Sequence, residues 1–351
     1  MTTSDLHVVA VGARTPVGLC AESTAAAVRA GISRIGEHSS LVDGTGNPLK
    51  VACDFLIDAN VIGPSRFIEL AVAALAEVVS KLSLHGTLAA PLSLLLALPE
   101  LRPGFKAEIA EAVVRGISSA TLPGVVPLDI EIAGTGHAGA LRALEVAQTR
   151  LANRQYEVCI IGGIDSYLDA DTLDWLDSDG RLTQEGARGG FTPGEGAGML
   201  AVTTHRGASA LGLRSLAQIR GVATGQEPRS IDSPEGLLGE GLSEVVLRAT
   251  MDRRMPGELI DEIYCDINGE RHRTDEWGFM ILRVPAIFRD GTAYRTGAGS
   301  WGDIGAATGA LSGVLAVEAL RRGYAKGPLA LVCASSNSGL RAAALFEGRE
   351  V

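Results

Sequence analysis

The sequence predicts an α/β protein made of two similar halves, each a βαβαβ series of strands and helices. Three observations support this prediction. Short apolar runs of strand length alternate with longer stretches whose apolar residues recur at helical spacing. Gly-rich turns lead from several of the strands into a helix. The chain contains 44 Gly but only 4% aromatic residues, a composition that suits close packing of helices on sheets.

The first half is predicted to span residues 1–205. The continuous run of leucines near residue 95 is typical of a strand buried on both faces. Gly162 and Gly163 are expected to end the strand that precedes them. Strands are predicted at residues 6–11, 92–98, 130–133, 158–161 and 199–203, and helices at residues 21–30, 66–82 and 138–151.

A tight turn, residues 134–137 (GTGH), joins the third of these strands to the helix that follows. The helix leads into the next buried strand, so the unit reads as a βαβ crossover. The sequence therefore places His137 at the junction of a strand and a helix.

The second half is predicted to span residues 206–351 and repeats the same alternation. Strands are predicted at residues 217–222, 262–267 and 329–333, and helices at residues 237–251 and from Gly302 and Asp303 to about Arg321. Two polar segments, residues 165–188 and 268–277, are predicted as solvated loops. The first contains six aspartates but lacks the ligand spacing and turn glycine of a calcium loop.

Composition excludes several classes of function. The 41 acidic residues outnumber 31 basic ones, giving a net charge of −10 with no basic run, so nucleic acid is not an expected partner. No apolar stretch approaches the length of a membrane span, and residues 1–6 lack the pattern of a signal peptide, so we expect a cytoplasmic protein without membrane association. The five cysteines occur singly, without metal-ligand spacing, and neither a metal nor a cofactor is expected.

Four segments, in order along nearly the whole chain, resemble the β-ketoacyl-acyl carrier protein synthases, condensing enzymes of the thiolase fold. VVAVG at residues 8–12 with TPVG at 15–18 is similar to that family's first strand and turn, and AGISRI at 30–35 to the end of its first helix. The most specific matches are Gly162-Gly163 after a strand and GEGAGML at residues 194–200, preceded by Phe191. The resemblance implies a thiolase-like fold, with the two βαβαβ halves in a five-layered αβαβα arrangement.

The same resemblance implies that the catalytic set of the family, one Cys and two His, has been replaced. The nucleophilic Cys at a helix N-terminus falls on His137, the first catalytic His on Asn268, and the second on Asp303. The supporting Lys falls near Ala298, and the glycine-rich loop after the last strand is SSNSGL at residues 335–340. Without a thiol, standard condensation is not expected.

Three functions are considered for a chain with these replacements. The first is a non-catalytic subunit, scaffold or adaptor, paired as a homodimer or as a heterodimer with a related condensing enzyme, with an acyl carrier protein or another protein as possible partner. Family resemblance places that interface near residues 133–137. The second is an acyltransferase or thioesterase-type enzyme in which Asp303 and Asn268 orient His137. A condensing enzyme with a displaced thiol at Cys265 is a third reading, disfavoured because that thiol should be buried in the sheet.

Overall fold

A computed structural model describes residues 5–44, 46–84, 91–122, 127–184, 189–229, 231, 233, 236–254 and 257–348. Arg188, the end of the predicted acidic loop, lies outside the described residues, as does the N-terminal segment through residue 4. In the described part of the chain, no helix is both long and apolar enough to cross a membrane.

The strands and helices alternate along the chain. The strands are β1 (Leu6–Arg14), β2 (Ile35–Val42), β3 (Pro48–Ala52), β4 (Leu92–Leu98), β5 (Leu128–Thr135), β6 (Cys159–Ser166), β7 (Glu195–Thr204), β8 (Ala217–Gln226), β9 (Glu262–Tyr264), β10 (Tyr294–Arg295), β11 (Leu329–Ser335) and β12 (Leu340–Glu347). The helices are α1 (Ala21–Arg29), α2 (Pro64–Ser83), α3 (Ala107–Ser119), α4 (Gly139–Ala152), α5 (Ala170–Ser178), α6 (His205–Ala210), α7 (Glu240–Ala249), α8 (Arg271–Arg283), α9 (Ala298–Trp301) and α10 (Thr308–Arg321).

The strand order repeats between the halves. One ten-stranded sheet runs β10-β9-β11-β12-β8-β1-β7-β6-β4-β5. It consists of a first set, β1 with β4–β7, in the order β5-β4-β6-β7-β1, and a second set, β8 with β9–β12, in the order β10-β9-β11-β12-β8. When the five strands of each set are numbered along the chain, both sets have the order 3-2-4-5-1. The fifth strand of each set, β7 or β12, is antiparallel to both of its neighbours. The second, third and fourth strands of each set pair in parallel. The two sets meet where β1 pairs with β8. The proposed boundary between residues 205 and 206 falls at the start of α6.

Five layers result from this arrangement. Helices α2 and α3 share a buried cluster with the first set of strands, and α7 and α8 share another with the second set. Between the two sets lie α4 and α10, whose apolar residues join strands of both halves in the largest cluster. The predicted α/β class and the five-layered arrangement of two halves are therefore confirmed.

Several predicted elements differ from those observed. The strand predicted at 158–161 continues through Gly162 and Gly163 as β6, because the glycines admit close neighbours: a Cβ at Gly163 would lie 2.4 Å from the carbonyl oxygen of Ala306. The acidic segment, predicted as a loop, contains α5. In the polar segment 268–277, also predicted as a loop, residues 271–277 form the first half of α8. The prediction that the strand at 329–333 closes the series was also wrong, since β12 follows it.

Candidate functional site

A glycine turn between β5 and α4 positions His137. Gly136 has φ +67°, a conformation that favours glycine, and a Cβ on Gly134 would lie 2.4 Å from the carbonyl oxygen of Gly139. The chain can therefore reverse directly from the strand into the helix. His137, two residues before α4, is only 3% exposed.

Asp303 reaches the same place from the second half. Its backbone N–H donates to the carbonyl of Thr192, and its carbonyl accepts from the N–H of Gly194, which ties residue 303 to the glycine-dense segment before β7. The carboxylate accepts a 2.7 Å hydrogen bond from the N–H of Gly305, at the start of a 3₁₀ turn. The sequence placed Asp303 at the N-terminus of the long helix, but α10 begins only at Thr308.

The carboxylate of Asp303 contacts both His137 and Asn268. Nε2 of His137 lies 3.0 Å from both carboxylate oxygens of Asp303, and the side-chain amide of Asn268 donates to Oδ2 of the same carboxylate at 2.5 Å. The structure thus brings together three residues separated by up to 166 positions. Their catalytic role remains a prediction.

The carboxyl group of Asp303 is held ionised. Burial alone would raise its pKa, but His137, Arg273 and the N–H of Gly305 together lower the pKa of Asp303 well below its usual range. A carboxylate that only accepts hydrogen bonds requires a proton on the facing imidazole nitrogen, so Nε2 of His137 donates to Asp303.

Arg273 is a component of the site that the sequence did not identify. One terminal nitrogen of Arg273 is 3.3 Å from both ring nitrogens of His137. The other terminal nitrogen donates to Asp266 at 2.5 Å and to the carbonyl of Ser335 at 2.8 Å. Glu270 lies 3.4 Å from Nε of Arg273. The only sequence signal was the polarity of the segment 268–277.

Glu270 links this network to a second arginine. Arg181 donates from Nε to Glu270 at 2.8 Å. Burial favours the neutral acid, but the attraction of Arg273 and the contact with Arg181 lower the pKa of Glu270. The charged groups around His137 are therefore largely paired with one another.

A cavity of about 490 Å³ opens beside His137. It is lined by residues of both halves, among them Glu100, Arg102, Asp165, Tyr167, Arg181 and Asn337. Arg102 binds Asp165 through its two terminal nitrogens, at 3.3 and 2.6 Å, and its guanidinium carbon lies 4.2 Å from the centre of the Tyr167 ring. The lining is thus polar and charged around a few aromatic surfaces.

The described residues favour neither a reactive thiol at Cys265 nor a metal site at the one group with ligand-like spacing. Cys265 is 2% exposed, and burial raises the pKa of its thiol well above the usual value, which makes it a poor nucleophile. Within the described residues, Cys20, Glu22 and Glu77 form a group with ligand-like spacing. However, the ammonium group of Lys81 binds Glu22 at 2.9 Å and Glu77 at 2.6 Å and already supplies the positive charge there.

Solved structures of ketosynthases have the same fold. A chain of AntDE:AntF, a type II PKS acyl-carrier protein in complex with its ketosynthase bound to the hexaketide, matches with a TM-score of 0.81 at 13% identity, over 99% of this chain and 100% of that chain. The ishigamide ketosynthase/chain length factor gives 0.71 at 18% identity, over 99% and 100% of the two chains. A β-ketoacyl synthase from Burkholderia phymatum gives 0.75 at 14% identity with the same coverage.

By sequence, no protein-family model and no curated protein matches the chain. The structural likeness extends over 99% of this chain and over the whole length of each of these three solved chains. The chain therefore has the thiolase-like fold that ketosynthases and the ketosynthase/chain length factor share.

Proposed function

We propose that this chain is a non-catalytic ketosynthase-like subunit that acts by pairing with another chain of the same fold. The observation that carries the proposal is the bonding of His137. In the described part of the chain its imidazole contacts the side chains of Asp303 and Arg273, and no thiol or hydroxyl hydrogen-bonds to it. Condensation through a covalent acyl-enzyme needs such a nucleophile.

The charge of Asp303 supports the same conclusion. By resemblance it stands where an imidazole would stabilise a developing enolate or oxyanion, but an ionised carboxylate repels such a charge. Losing one oxyanion donor typically costs about 3 kcal/mol of transition-state stabilisation, and a carboxylate adds repulsion to that loss.

Acyl-CoA or acyl-carrier-protein substrates are expected to leave the protein unmodified. Intact-mass spectrometry after incubation should show no acyl adduct on the wild type, because no described thiol or hydroxyl is activated beside His137. His137→Ala serves as the control. A stable adduct on the wild type that disappears in His137→Ala would contradict a non-catalytic role.

The contact of His137 with Asp303 favours a second candidate, a thioesterase-type hydrolase. Asp303 orients the imidazole, which reaches the cavity, and an oriented imidazole can activate water. Release of free acid from an acyl thioester, lost in both His137→Ala and Asp303→Asn, would favour this hydrolase over the non-catalytic subunit. Equal background release from all three proteins would exclude it.

The partner is proposed to be a second copy of the chain or an active condensing enzyme. β5 supports a strand-to-strand contact, because it is an edge strand of the large sheet and most of its residues are exposed or half-exposed. Two structural neighbours are themselves parts of assemblies, one a ketosynthase/chain length factor and one a ketosynthase with its acyl-carrier protein. An acyl carrier protein is thus a further candidate partner.

Ile132→Lys is expected to weaken a dimer formed through β5. Ile132 is 42% exposed on this edge, and a charge there would cost ~1–2 kcal/mol or more of association free energy. Light scattering coupled to size-exclusion chromatography would measure the dimer fraction. Leu282→Lys, on α8 at a position 77% exposed, is the matched control and should leave it unchanged. Equal dimer fractions for both variants would argue against β5 as the interface.

A further inference from the structure

The loop after β11 holds a carboxylate of the chain itself. The backbone N–H of Asn337 donates to Oε2 of Glu100 at 3.2 Å, and the N–H of Ser338 donates to Oε1 at 2.7 Å. Two consecutive backbone N–H groups that converge on one anion form a nest of the kind that binds carboxylates and phosphates. Glu100 comes from the other half of the chain, just after β4, so this contact joins the two halves.

Gly136 provides the space for the Glu100 carboxylate. A Cβ at residue 136 would lie 2.9 Å from the carboxyl carbon of Glu100 and 2.7 Å from Oγ of Ser336. The glycine that shapes the turn before His137 therefore also admits the Glu100 side chain. The Ser336 hydroxyl accepts from the N–H of Ala138 at 3.0 Å, which connects the loop to the start of α4.

The nest borders the cavity beside His137. Other backbone N–H groups near this cavity also donate to carboxylates of the chain. Asp165 accepts from the N–H of Ala306 at 2.8 Å, and Asp303 accepts from the N–H of Gly305. One buried donor remains: Nε of Arg102, in a side chain 8% exposed, has no hydrogen-bond partner among the described residues. The cavity thus combines a nest that holds an anion with an unused cationic donor.

We propose that the cavity contains a carboxylate-binding site whose resident occupant is Glu100. In the wild type, Glu100 fills the two N–H groups of Asn337 and Ser338 and excludes a carboxylate ligand from them. Removing the Glu100 side chain exposes both donors, and Arg102, whose terminal nitrogens bind Asp165, has a further unpaired donor, Nε, on a residue that lines the same cavity. A small carboxylate from solution then occupies the place of the Glu100 carboxylate.

Formate binding to Glu100→Ala tests this site, and the readout does not depend on catalytic activity. Formate is compared with chloride at equal ionic strength by thermal unfolding, and the amide resonances of Asn337 and Ser338 are followed by NMR. We expect a saturable, formate-specific rise in Tm for Glu100→Ala and movement of both amide resonances. Formate should bind at least about tenfold more tightly to Glu100→Ala than to the wild type.

The control is Glu111→Ala, which removes a carboxylate 70% exposed on α3, away from the cavity. A formate-specific rise in all three proteins, or in none of them, would overturn the proposal. If Glu100→Ala does not fold, hydrogen exchange in Glu100→Gln provides the second measurement. The carbonyl oxygen of Gln can still accept one of the two hydrogen bonds, but its NH2 group cannot accept the other. The backbone amide of residue 337 or 338 should therefore exchange faster than in the wild type, and unchanged exchange at both would also overturn the proposal.

Discussion

Replacing Arg273 with methionine is expected to lower the free energy of unfolding by about 3–5 kcal/mol. The Arg273 side chain is 1% exposed and contacts the carboxylates of Asp266 and Glu270. Its positive charge also lowers the pKa of Asp303. Methionine preserves much of the apolar stem but leaves three acidic groups without their shared cation in a buried region.

Urea unfolding at pH 7 would measure this loss, with Arg271→Met as the matched control. Arg271 is also on α8 and pairs with Asp275, but its side chain is 90% exposed, so its removal should change stability by less than about 0.5 kcal/mol. Equal stability losses in the two variants would show that Arg273 does not hold the site together.

The difference between wild type and Arg273→Met should depend on pH with a definite sign. The folded-state pKa of Asp303 is depressed, so its ionisation contributes stability above the unfolded value of about 3.9 and progressively less as the pH falls below that value. Since Arg273 helps to depress this pKa, the stability advantage of the wild type should shrink below about pH 4.

Glu195→Ala is the second substitution with a large expected effect, again about 3–5 kcal/mol of unfolding free energy. The fully buried Glu195 accepts two hydrogen bonds from Arg66, at 2.6 and 2.7 Å, one from the N–H of Asp54 at 2.7 Å and one from the Ser166 hydroxyl at 2.9 Å. Its removal strands the Arg66 guanidinium in the interior without its counter-charge.

A double variant separates the lost ion pair from a simple cavity. Glu195→Ala with Arg66→Met removes both charges and should recover part of the stability lost in Glu195→Ala alone. Glu244→Ala, at a side chain 64% exposed on α7, is the control and should be nearly neutral. If the double variant is no more stable than Glu195→Ala, the buried charge of Arg66 is not the cause of the loss.

The glycine-dense segment shows how far sequence reasoning reached. The glycines of residues 194–198 are visible in the sequence, and in the fold a Cβ on Gly194 would lie 1.9 Å from the carbonyl oxygen of Trp301. The partners of Glu195 within the same motif were not predicted. Glycine spacing reflects local backbone geometry, whereas Arg66 is 129 positions away and becomes a neighbour only through packing.

Two elements, β12 and the start of α8, were not predicted because their residue patterns are typical of more than one kind of secondary structure. Residues 340–347 (LRAAALFE) form β12, but their alanines suit a helix as well as a strand. The start of α8 is so polar that it was interpreted as a loop. Its buried face includes Arg273 and Glu276, charged residues that can be inside only because Asp266 and Arg341 neutralise them.

The sequence alone determined the alternation of strands and helices, the repeated halves and the strand–glycine turn–helix unit that carries His137. These features depend on the spacing of apolar residues and glycines within short segments, which local sterics and burial convert directly into structure. The family resemblance predicted Asn268 and Asp303 near that imidazole, but only the tertiary structure decided that Arg273 contacts it and that Glu100 occupies the loop of residues 337 and 338. Such contacts form between residues brought together by strand order and layer packing, and buried charges must be neutralised by whichever partners the fold places beside them.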